Sequence, residues 1–162
     1  MKKILILATL CSALFCSCAS LRTPVVIKNA PIESFKYAYI PPTQNFMSSK
    51  RADTSDDFGI SSYSSTKTVN PRDVIAGKLI KAGFVILPEV KPELANETLI
   101  VNYGESGRRN NILEHSIEVA IQFVSAKTYE PVCSCTAEGH GQTEADDIRK
   151  AIDRALSQMI QK

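Results

Sequence analysis

Cys133 and Cys135 stand two positions apart, the spacing of a C-x-C pair able to exchange disulfides or hold a soft metal. On a strand these positions share a face with Cα atoms about 6.5–7 Å apart, at or past the upper limit for a disulfide between them. Thioredoxin-like chemistry instead needs C-x-x-C at a helix N-terminus, where the dipole lowers the thiol pKa. With Ala137 continuing the row, the two cysteines read as small apolar side chains on a buried strand face. His140 lies between glycines in Glu138-Gly139-His140-Gly141-Gln142. A general base there needs an orienting group and a nucleophile in reach. Ser134 is the near hydroxyl in sequence, and a strand-to-helix turn accounts for both glycines through the backbone angles they permit. His115 is the only other histidine, so a histidine-rich metal site is not available. Asp53, Asp56 and Asp57 lack the spacing of an EF-hand loop, and no cofactor is implied.

Gly104-Glu105-Ser106-Gly107-Arg108-Arg109 combines glycines with adjacent guanidinium groups. Such a segment grips an anion through arginine forks and exposed amides, although no helix follows it as in a phosphate loop. Arg108 and Arg109, read as lying on a polar loop over residues 104–111, are the first candidates for contacting a partner. Tyr63, within a Ser/Asp-rich stretch at 43–69, is the other.

The start of the chain carries a different chemistry. Lys2 and Lys3 precede an apolar run from Ile4 to Phe15, and Cys16-Ser17-Cys18-Ala19-Ser20 follows. Charge, apolar run and small-residue site in that order predict a secretory signal peptide, since the run is short of the roughly 20 apolar residues that cross a bilayer. Phe15-Cys16-Ser17-Cys18 resembles the lipobox of bacterial lipoproteins, with Phe15 where Leu is usual. That resemblance implies cleavage before Cys18 and diacylation of its sulfur; with Ala19 after Cys18 in place of an inner-membrane-retaining Asp, the expected address is the outer membrane, on its periplasmic or surface face. The alternative is cleavage after Ser20, which releases a soluble periplasmic protein.

Residues 1–17 take two lysines with them. The remaining 145 residues carry 17 Lys plus Arg against 17 Asp plus Glu, so the net charge of +2 belongs to the signal segment. A neutral mature chain argues against a nucleic-acid or anionic-lipid partner recognised by bulk charge, and its length suits one domain.

The elements that position these residues follow from pattern. Residues 18–24 read as a lipidated tether and 25–162 as a single domain. Val25–Ile27 predicts an edge strand, and Phe35–Ile40 a strand stopped by Pro41-Pro42. The stretch at 43–69 is expected to be a long loop with a weak strand near 60–66. Asn70-Pro71 opens a helix whose stripe is Ile75, Ala76, Leu79, Ile80 and Ala82, ended by Gly83. Phe84–Leu87 predicts a short buried strand, and Thr98–Tyr103 a strand in mid-sheet. Ile117, Val119, Ile121 and Phe123 alternate with polar positions and pair through a turn with Val132–Glu138. Thr143-Glu144-Ala145-Asp146 opens a final helix with its apolar stripe running to Met159.

This order predicts an α+β fold: a two-layer sandwich, mostly antiparallel, with both helices packed on one face. The run from Val69 through the Gly83-Phe84-Val85 helix exit, Leu99-Ile100-Val101-Asn102-Tyr103-Gly104, the hairpin with its Ser125–Glu130 turn and the last helix resembles uncharacterised bacterial envelope lipoproteins. Those are domains of unknown function whose fold is distantly like the amino-terminal domain of the TolB envelope protein. The resemblance implies fold and location and transfers no catalytic residue. The expected function is therefore a non-catalytic binding module, anchored to the membrane through Cys18 and contacting an envelope protein or glycan. An envelope enzyme or a thiol/metal-binding protein using His140 or Cys133/Cys135 is the alternative.

Overall fold

The structure, a computed structural model, describes residues 21–56, 59–110 and 115–160, with the side chains of 49–56, 59–65 and 110 set aside. Eight strands and two α-helices follow one another along it: β1 (Val25–Lys28), β2 (Tyr37–Tyr39), β3 (Phe46–Asp56), β4 (Gly59–Val69), α1 (Pro71–Lys81), β5 (Val85–Leu87), β6 (Thr98–Asn110), β7 (His115–Ser125), β8 (Pro131–Gly139) and α2 (Glu144–Ile160). Six strands form one sheet in the order β1-β8-β7-β6-β2-β5, and β3 with β4 forms a separate ribbon. The fold is α+β with a mostly antiparallel sheet, as expected; β2 alone runs parallel to both of its neighbours, β5 and β6.

Alternation explains the layers. On β7, Ile117, Val119, Ile121 and Phe123 are at most 3% exposed and face the helices, while Glu118, Ala120 and Gln122 face the other way. On β8 the helix-facing row is Cys133, Cys135, Ala137 and Gly139. The row shrinks toward Gly139, where an added Cβ would collide with the α2 backbone at Asp147 and Ala151. The missing side chain is what lets α2 lie directly on β8. Ile148, Ile152, Leu156 and Met159 of α2 are each at most 1% exposed, and burial of a large apolar side chain contributes about 1.5–3 kcal/mol.

Asn70 caps α1 by accepting from the Arg72 amide at 3.0 Å, with Pro71 in the first turn. Gly83, at φ 98°, ends it. Ile75 and Leu79 are buried, but Ile80 is 59% exposed, because its position has rotated off the sheet-facing stripe. Val85 is likewise 54% exposed, since β5 is an edge strand and not a covered one.

Two segments expected to be loops are strands. The 43–69 stretch is mostly the β3–β4 ribbon, paired from Phe46↔Val69 to Asp56↔Gly59. Its Ser and Thr residues have no apolar face to betray a strand, and Thr is at home in the extended backbone. The supposed polar loop at 104–111 is the continuation of β6 to Asn110, paired with β7 through a bulge between Glu105 and Gly107. The glycines there serve a bulge, not a turn.

Candidate functional site

The bulge decides where the two arginines go. The extra residue, Ser106, shifts the alternation of β6 by one, so Arg108 turns to the helix side and Arg109 to the open side of the sheet. Arg108 Nη2 lies 2.8 Å from Glu105 Oε2 and 2.6 Å from Glu144 Oε1 in the first turn of α2. The Glu105 and Glu144 hydrogen bonds hold its guanidinium charged above the ordinary range. Arg109 donates to Glu138 Oε2 on β8. The expectation of an outward-reaching arginine loop is thus corrected: both side chains are engaged by carboxylates of the fold itself.

Glu138 is 3% exposed and gathers the open side of this end. Besides Arg109, it accepts from the Arg22 amide at 3.0 Å and lies 3.4 Å from Arg22 Nε. Burial alone would raise the Glu138 carboxyl; the Arg22 amide and the Arg109 guanidinium outweigh it and hold it below the usual carboxylate range. Arg154 of α2 completes the tie, donating to the Glu138 carbonyl and, at 2.9 Å, to the Arg22 carbonyl. Residues 21–24 are therefore no free tether at Arg22, which is bound to the domain.

On the helix side, the first turn of α2 is a junction. Thr143 accepts from the Asp146 amide at 3.3 Å, and Ser48 of β3 accepts from the Ala145 amide at 3.1 Å. Lys67 of β4 lies 2.9 Å from Asp146 Oδ2. Asp147 is wholly buried; its Oδ1 accepts from the Gly141 amide, and its Oδ2 lies 3.1 Å from His115 Nε2 without the alignment of a hydrogen bond. Burial raises the Asp147 carboxyl above its ordinary value, with His115 pulling the other way.

His140 is exposed and packs edge-on against His115, ring centroids 5.7 Å apart. Its Nδ1 donates to the His115 carbonyl at 2.6 Å, which leaves the lone pair on Nε2 when the ring is neutral. Such a nitrogen can take a proton or bind a ligand, but Asp147 orients His115 and not His140. Among the described residues no group of three or more His, Cys, Asp or Glu is arranged to hold a metal ion.

Cys133 and Cys135 are unpaired thiols in the core, 0% and 1% exposed. Burial pushes both thiols up, Cys135 to about 12, which disfavours the thiolate that redox or metal chemistry uses. Cys18 and Asp57 lie outside the described residues, as do the side chains of Tyr63, Asp53 and Asp56. Asp147, Glu138 and Arg22 were not among the sequence candidates. Asp147 was findable: it stands four residues before Ala151 and eight before Ala155, on the apolar stripe of α2, where a carboxylate must be buried.

No protein-family model and no curated protein matches the chain. Solved structures do. A point variant of PelC from Paraburkholderia phytofirmans, solved as a dodecamer, superposes with a TM-score of 0.52 at 14% identity, over 87% of this chain and 100% of that one. A second PelC dodecamer from the same organism gives 0.46 at 14% identity, over 83% and 96%. This chain is similar to PelC in fold. Among the described residues, no helix is long and apolar enough to cross a membrane.

Proposed function

We propose that the chain is a lipid-anchored lipoprotein of the cell envelope, acting as a non-catalytic interaction module held to the outer membrane through Cys18. The observation that carries this is the Lys2–Cys18 order of charge, apolar run and acceptor cysteine, followed four residues on by Arg22 bonded into the domain. The pattern-level likeness to uncharacterised envelope lipoproteins supports it. So does the engagement of Arg108, Arg109 and Glu138 with one another's neighbours, which spends the charged groups of this end on architecture and not on a reaction. The partner is an envelope protein or a glycan. The dodecameric state of PelC makes a further copy of this chain the first protein partner to test.

The test is intact mass of the protein from membranes, compared with Cys18→Ser. Acylation at Cys18, with the variant released to the soluble fraction, is the expected result. A mature chain beginning at Leu21 and carrying no acyl group overturns the anchor. Native mass spectrometry of the same samples reads self-association directly.

A second reading, an envelope enzyme, rests on the exposed His140 beside the His115–Asp147 pair. Activity lost in His140→Gln, with an unchanged melting temperature, would favour it.

A further inference from the structure

The place where the chain becomes bound to the domain sets how the domain stands on a membrane. Arg22 is fixed at both its amide, to Glu138, and its carbonyl, to Arg154. Only residues 19–21 separate it from Cys18, and four backbone steps span at most about 14 Å. An acyl-bearing Cys18 therefore keeps Arg22 within that distance of the headgroups.

Arg22 sits at one end of the sheet. The same end holds the Gly139–Gly141 turn, His115 and the N-terminus of α2. The opposite end is the β7–β8 turn, where Tyr129 is 73% exposed at φ 60°. Along β7 and β8 the two ends are separated by seven residues, from Ile117↔Gly139 to Val124↔Pro131, or roughly 25 Å at about 3.3 Å per residue. The leash holds the near end within about 14 Å of the surface and sets no such bound on the far end. The near end is also polar: His140, Gln142, Arg149 and Lys150 are exposed, side chains able to hydrogen-bond phosphate and glycerol oxygens.

We infer that the end of the domain carrying Arg22, the Gly139–Gly141 turn and the start of α2 is held against the lipid headgroups, with Tyr129 directed away. This rests on the proposed acylation of Cys18. Its partner is the bilayer surface, and the face left for proteins or glycans is then the opposite end together with the uncovered side of the sheet.

The chain contains no tryptophan, so a single introduced indole reports one position. The experiment uses full-length acylated protein reconstituted in phosphatidylcholine vesicles containing a headgroup spin-labelled lipid, with Gln142→Trp compared against Tyr129→Trp. Fluorescence of the indole at 142 is quenched severalfold more than that at 129. A flexible Gly/Ser spacer of about ten residues inserted after Ser20 adds about 17 Å of root-mean-square reach and removes most of the contrast, with acyl mass and membrane retention unchanged. Equal quenching at the two positions in acylated protein overturns the orientation alone. A contrast that survives the spacer overturns the short leash as its cause. Protein without the acyl mass overturns the anchor and the orientation together.

Discussion

Asp147 Oδ2 lies 3.1 Å from His115 Nε2, with the carboxylate wholly buried and the imidazole about half exposed. The pair joins the first turn of α2 to the start of β7, and it has an electrostatic cost. Buried charge is tolerated only when paired and hydrogen-bonded, and this carboxylate has one good hydrogen bond, from the Gly141 amide, with its other oxygen poorly aligned.

Asp147→Asn keeps the shape and the acceptor for Gly141 while removing the charge. Because burial raises the folded-state pKa of Asp147, its ionisation opposes folding: full stability holds below the unfolded value and declines as pH rises through the folded one. The variant should therefore be more stable than the parent at neutral pH, by about 1–2 kcal/mol, with the gap closing below the ordinary carboxylate range. Urea unfolding at several pH values measures it. A variant less stable than the parent at pH 7 would show that the contact with His115 outweighs desolvation.

Gly139→Ala places a Cβ into the α2 backbone at Asp147 and Ala151. Neither neighbour is a flexible side-chain tip, so the helix must lift. The expected loss is about 1–3 kcal/mol or more, read as a fall in urea midpoint. Gly104→Ala, where an added Cβ meets nothing within 4 Å, is the control that should lose much less.

Acid should release the N-terminal segment before it unfolds the domain. Glu138 is held below the usual range by Arg22 and Arg109 against the opposing effect of burial. Its contribution is present above the unfolded carboxylate value and is lost as pH falls through the depressed folded one. Hydrogen exchange at the Arg22 amide, corrected for intrinsic rate, should rise in acid while amides of β7 stay protected. Glu138→Gln should show the same opening already at neutral pH. Protection of Arg22 that is insensitive to both changes would sink the tie.

The Cys133 and Cys135 thiols should resist alkylation in the native protein and react in denaturant, because both are buried and Cys135 is pushed up to about 12. Two buried thiols reacting at the rate of a free peptide thiol would revive a redox or metal role.

Where side chains alternate in polarity, the elements were legible: β7 and β8 from Ile117–Phe123 and Cys133–Ala137, and α2 from its stripe. The β3–β4 ribbon was not, because a two-stranded ribbon outside the main sheet imposes no burial pattern on Ser, Thr and Asp. Arg108 and Arg109 were expected on a loop and lie on the continuation of β6. Their partners, Glu144 and Glu138, lie 36 and 29 residues away, and a bulge that reverses their facing leaves only a pair of glycines in the sequence. Cys133 and Cys135 read correctly as core because their neighbours at i+2 kept the same small, apolar character.

The cap that Ser48 provides for the Ala145 amide spans 97 residues of chain, and the Lys67–Asp146 pair spans 79. Contacts this distant in sequence form only after the intervening loop has closed. The bonds between the ribbon and α2 therefore form only once the last helix has been made and has packed on β8. On a chain delivered amino-terminus first, an early, polar hairpin waits for a late, apolar helix before Ser48 and Lys67 find their partners.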